Sequence, residues 1–141
     1  MQETHVASDL AQSTVFFDGS CPLCRAEIGY YRRNDRAGAL CFVDVSEHGA
    51  ATPAGIPQQA ALQRFHVRTR DGRVLSGAAA FVEVWTRLPA WRWVARAASL
   101  PGALAALEVG YRLFLPIRPF LSRIFGRFLK LRSGVEGAKP R

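Results

Sequence analysis

The sequence predicts an α/β fold in the order β-α-β-(α)-β-β-α, followed by further helices. Three observations carry that expectation. A run of β-branched and aromatic residues, Thr14–Phe17, leads directly into Cys21-Pro22-Leu23-Cys24 and a helical stretch. Asp71-Gly72 sits between two short apolar segments, a strong hairpin signal. After Gly77, the residues Phe81, Val84, Trp85 and Leu88 recur at helical spacing.

Each element follows from local chemistry. Thr14–Phe17 has the composition of a buried strand, and Asp18-Gly19-Ser20 supplies both a turn and helix-capping side chains. Pro22 suits a first helical turn, where a missing N–H costs nothing. The helix is expected from Leu23 to about Arg36, with Gly38 as its stop. Ala39–Val45 is the second strand, residues 46–57 a loop with two glycines and two prolines, and Gln58–Leu62 a short helix. Phe65–Arg68 and Arg73–Leu75 form the hairpin, and Gly77 serves the turn into the closing helix. This is the element order of the thioredoxin-like fold, with the first two strands parallel and helices on both faces.

Everything after Pro89 is expected to be helical. Leu104, Leu107, Tyr111 and Phe114 share one helical face. Beyond Pro116 and Pro119, Leu121, Ile124, Phe125 and Phe128 form an apolar face, with Arg123, Arg127 and Lys130 opposite. The expected organisation is a core over residues 13–89, a helical extension over 90–132 packed on it in the same domain, and flexible termini at 1–12 and 133–141. The apolar face of the last helix is expected to dock on the core and leave its arginines in water.

The net charge of +8 is unevenly placed. Residues 1–89 carry nine basic and nine acidic side chains, whereas residues 90–141 carry ten basic residues against Glu108 and Glu136. Basicity of this size points to nucleic acid or anionic membrane. No nucleic-acid motif accompanies it, so nucleic acid is not expected as a partner. A basic helix with an apolar face also has the interfacial pattern, which leaves peripheral membrane contact through residues 116–132 as an alternative. An oligomer contact through Ile124, Phe125 and Phe128 is open as well. Residues 1–12 contain two acidic residues and no apolar run, so no secretory signal is expected there. The longest charge-free apolar stretch in the last third is too short to cross a bilayer. A cytoplasmic location is expected.

The chemistry concentrates at Cys21 and Cys24. Cysteines three apart in a first helical turn bring their sulfurs within bonding reach. The unpaired N–H groups and the positive end of the helix dipole favour thiolate at Cys21. Thiolate is the attacking species in thiol–disulfide exchange. Cys21 is therefore the expected nucleophile and Cys24 the resolving thiol. Arg25 adds positive potential, and Pro22, Leu23 and Arg25 are the nearest candidates for substrate contact. A structural zinc needs about four ligands. The other candidates, Cys41, His5, His48 and His66, lack paired spacing, so no metal is expected. Cys41 fits a buried inert thiol, and Phe81, Trp85 and His66 fit structural roles. Asp18 is open between a turn residue and acid/base support for Cys24, and Asp44 is a weaker candidate of the same kind.

With Asp18 included, the motif Asp18-x-x-Cys21-x-x-Cys24 resembles that of the DCC family of predicted thiol-disulfide oxidoreductases. The likeness continues through Phe42-Val43-Asp44, Phe65-His66-Val67, Asp71-Gly72-Arg73-Val74, Gly77–Phe81, Trp85, Leu88-Pro89 and Tyr111-Arg112. The resemblance implies a thioredoxin-like fold and dithiol/disulfide exchange with a thiol- or disulfide-containing substrate. No bound cofactor is required, and electrons would come from a thiol donor. One departure from thioredoxin and glutaredoxin stands out: Gln63 and Arg64, not a proline, precede Phe65. The rival function is a membrane-surface or protein-binding module with an incidental cysteine pair.

Overall fold

In the computed structural model, which describes residues 12–137, the first apolar run forms β1 (Ser13–Phe17), buried at every position. The expected flexible segments at 1–11 and 138–141 lie outside the described residues. β1 is central, pairing in parallel with β2 (Leu40–Asp44) and antiparallel with β3 (His66–Arg68). β4 (Val74–Ser76) completes a four-stranded mixed sheet in the order β2-β1-β3-β4. A strand covered on both faces needs apolar residues at successive positions, and Val15-Phe16-Phe17 provides them.

The alternation of β1 divides the core. Val15 and Phe17 face Ile28 and Tyr31 of α1 (Pro22–Asn34) and Ala80 and Val84 of α3 (Ala78–Arg87). Phe16 faces the other way, onto Val45 and Ala61, the latter in α2 (Gln58–Gln63). The chain has the thioredoxin-like α/β fold that its element order predicts. α1 ends before Gly38, because the Asp35 carboxylate accepts hydrogen bonds from the N–H groups of Ala39 and Leu40 at 2.9 and 3.0 Å. The hairpin turns at Asp71-Gly72, where Gly72 has φ +88°.

After a 3₁₀ turn at Pro89–Trp91 come α4 (Arg92–Ala98), α5 (Ala103–Phe114) and α6 (Arg118–Gly137). The sequence placed the helix end near Arg132, yet the helical backbone continues to Gly137. Extending a helix costs far less than starting one, and no proline intervenes before Pro140. The orientation of α6 also differs from expectation. It packs against the start of α1, with Ser122 beside Cys21 and Gly126 beside Pro22. Of Leu121, Ile124, Phe125 and Phe128, the residues expected to dock, Phe125 is half-buried and the other three are exposed. The contacts of Ser122 with Cys21 and of Arg118 with Asp18 turn the face bearing Ser122 and Gly126, rather than the apolar one, toward the start of α1.

Candidate active site

The site lies beyond the C-terminal end of β1, where ligands of open α/β sheets bind. The turn after Phe17 is braced from both sides. The Asp18 carbonyl accepts from the Cys21 N–H at 3.2 Å, and the Asp18 carboxylate accepts from the Ser20 N–H and hydroxyl at 3.0 and 2.5 Å. From β2, Asp44 accepts from the Gly19 N–H at 2.8 Å and from the Ser46 N–H and hydroxyl. Burial works against the Asp44 carboxylate, but these hydrogen bonds outweigh it and hold its pKa below the usual range. A Cβ at position 19 would overlap that carboxylate, so the turn requires glycine.

Cys21 is the N-cap of α1, with extended backbone, and its sulfur accepts the Cys24 N–H at 3.3 Å. Ser122 Oγ of α6 lies 3.4 Å from the same sulfur. Burial opposes ionisation of Cys21. The hydrogen bonds from the Cys24 thiol, Ser122 and the Cys24 N–H, with the charge of Arg118, overcome it and lower the pKa. Cys24 behaves oppositely. Burial, together with its hydrogen bond to Cys21, pushes its thiol up to about 12. By surface area Cys21 is the more covered, 7 % exposed beneath α6, yet its hydrogen bonds lower its pKa, whereas at Cys24 the charge of Arg118 does not offset burial.

Arg118 is the cation of the site. It opens α6, lies 3.3 Å from Asp18 Oδ2, and faces both sulfurs. Burial opposes its charge, and the two cysteines and Asp18 more than compensate. Glu27, one turn beyond Cys24 on α1, is a half-buried carboxylate. Burial raises its pKa, partly offset by the Tyr31 hydroxyl, which donates to Oε1 at 2.6 Å, and by Arg118. Cys24, Glu27, Asp18, Tyr111 and Arg118 share the wall of a small, half-open cavity of about 40 Å³. On the outer side, Cys21 opens onto a groove of about 400 Å³ between Ser20, Gln63, Leu115 and Ser122.

A family model described as DCC1-like thiol-disulfide oxidoreductase matches residues 15–124. The chain belongs to this family. No curated protein and no solved structure matches it.

In this DCC1-like chain the fold gathers Asp18, Cys21 and Cys24 at one helix start. Pro22 is packed under Gly126 of α6, and Leu23 is half-buried. Arg25 is exposed, and its charge is felt by Asp44, whereas Cys21 feels Arg118. Cys41 pairs with Thr14, well back along the sheet from the site end. His66 is buried, and burial lowers its pKa. Phe81 and Trp85 belong to an aromatic row that runs from Tyr111 to Trp91. Glu27 is legible in the sequence only through its i+3 spacing from Cys24, which puts both on one helix face. Arg118 and Ser122 carry no local signal at all, because about a hundred residues separate them from the motif.

Proposed function

We propose that this chain exchanges dithiol for disulfide, with Cys21 as nucleophile and Cys24 as resolving thiol. One observation carries the assignment: the two thiols are driven apart, Cys21 toward thiolate by its cap position and Arg118, Cys24 up to about 12 by burial. The ionised sulfur faces the outer groove and the protonated one the interior.

The Cys21 thiolate attacks one sulfur of a substrate disulfide through the groove. That S–S bond breaks, the first thiolate leaves, and a Cys21 mixed disulfide remains. Cys24 then attacks Cys21 Sγ, forming the Cys21–Cys24 disulfide and releasing the second substrate thiolate. The proton of Cys24 passes to the Glu27 carboxylate in the shared cavity, and from there to the departing sulfur. The substrate gains two electrons and the cysteine pair loses them. A thiol donor returns the pair to the dithiol, and no bound cofactor enters. Asp18 acts by anchoring Arg118 and by shaping the turn. Pro22 and Leu23, between the cysteines, border the path of an incoming disulfide. We assign the reaction to the reducing cytoplasm, where an odd number of unpaired cysteines is ordinary.

Cys24→Ser tests the assignment. Challenged with a small mixed disulfide and with oxidised protein, the variant should accumulate adducts on Cys21 that mass spectrometry locates. If no adduct forms and Cys21 alkylates with a midpoint near the free-thiol value of about 8.5, the cysteine pair is incidental. The chain is then an interaction module, the reading favoured by the bare face of α6.

A further inference from the structure

We infer that α6 is a docking helix for an anionic lipid surface. At 3.6 residues per turn, Phe120, Leu121, Ile124, Phe128 and Leu131 fall within one sector of about 100°. Every one is exposed: Phe120 by 61 %, Ile124 by 50 %, Phe128 by 54 % and Leu131 by 71 %. Arg123 and Arg127 border this sector on one side and Arg132 on the other, all exposed. The Arg132 guanidinium lies over the Phe128 ring at 6.0 Å. The remaining sector carries Arg118, Ser122 and Gly126, and it holds the helix against the redox pair and α1.

A helix with one face held by its own protein, one apolar face open and arginines along both borders matches the interfacial pattern. The apolar residues enter the acyl boundary while the guanidinium groups reach up to lipid phosphates. Charge chooses the occupant. Residues 90–141 hold ten basic side chains and two acidic ones, so a second copy seated on this face would bring like charges together. An anionic bilayer offers both an apolar layer and a negative surface. No helix of the described residues is long and apolar enough to cross a membrane, so α6 would lie on it. The side of α6 that touches Cys21 is nearly opposite the apolar sector. Docking therefore holds the cysteine pair about one helix diameter, roughly 10 Å, from the lipid.

The inference is independent of the redox assignment, since none of the residues to be changed touches either cysteine. The full chain is floated with vesicles of phosphatidylcholine alone and of phosphatidylcholine with phosphatidylglycerol. Wild type should float with the anionic vesicles and be released by salt. R123Q/R127Q should weaken that partition about tenfold or more. F120S/I124S/F128S should abolish it, with circular dichroism and the pH profile of Cys21 alkylation unchanged. Equal binding to both vesicles, or full binding by either variant, overturns the inference. A dimer in sedimentation that F120S/I124S/F128S makes monomeric also overturns it, in favour of a second copy. Absence of flotation with either vesicle overturns it and leaves the face to a protein partner.

Discussion

Cys21 and Cys24 stand one helical turn apart, and their thiols are shifted in opposite directions. The cap position alone favours thiolate at Cys21, since its sulfur receives the Cys24 N–H. Burial opposes this, and the opposition is overcome with help from Ser122 and Arg118 of a distant helix. Arg118→Gln should therefore raise the Cys21 alkylation midpoint by about one pH unit. Arg118→Lys should restore part of the shift, because it keeps the charge but loses the planar fork. An unchanged midpoint in Arg118→Gln would show that the cap does the work alone. Glu27→Gln separates proton transfer from nucleophile activation. It should leave the first attack intact and slow resolution of the mixed disulfide by about ten- to a hundredfold. Equal resolution rates would return the acid/base role to Asp18, whose carboxylate is occupied by Ser20 and Arg118.

At the scale of elements, α5 is tied to the core by polar contacts. Glu108 pairs with Arg64 at 2.6 Å and accepts the N–H of Ala78, the first residue of α3, at 3.0 Å. Gly77 caps α3 without a side chain, so a carboxylate from another helix fills the place of a capping residue. Gly77 has φ +64°, and a Cβ there would strike both Arg64 and Glu108, so position 77 requires glycine twice over. The hydrogen bonds from Arg64 and Ala78 hold the Glu108 pKa below its usual value. A carboxylate with a depressed folded pKa stabilises the fold above its unfolded pKa of about 4.3, and loses that contribution as pH falls through the folded pKa. Glu108→Gln should thus lower Tm by about 4 °C at neutral pH, the pair being partly exposed and worth about 1 kcal/mol. The deficit should shrink toward zero in acid. Thermal melts at a series of pH values check it, and a deficit constant with pH would exclude the ionised carboxylate as its source.

Across the whole molecule, both core clusters are complete by Trp91, whereas the surroundings of Cys21 are not. Removing residues 116–141 should leave the sheet intact by circular dichroism and raise the Cys21 alkylation midpoint, because Ser122 and Arg118 leave together. A midpoint unaltered by the truncation would make α6 irrelevant to the thiol. This division explains what could be read from the chain. The succession of elements along the chain, the hairpin at Asp71-Gly72, the turn at Gly77 and the Cys21–Cys24 pair all rest on interactions within a few residues, which periodicity and turn chemistry report directly. The position of α6 does not. Its amphipathic pattern predicts that the apolar face docks, yet the face that docks is the one bearing Gly126, Ser122 and Arg118. Helical periodicity states which residues share a face but not which face finds a partner. Here Asp18 offers a charge to Arg118, and Cys21 offers a hydrogen-bond partner to Ser122. The sequence by itself determined the fold and the cysteine pair at the start of α1. Only the tertiary structure decided which distant groups surround the two thiols and which surface is left bare, because both depend on contacts between residues a hundred positions apart.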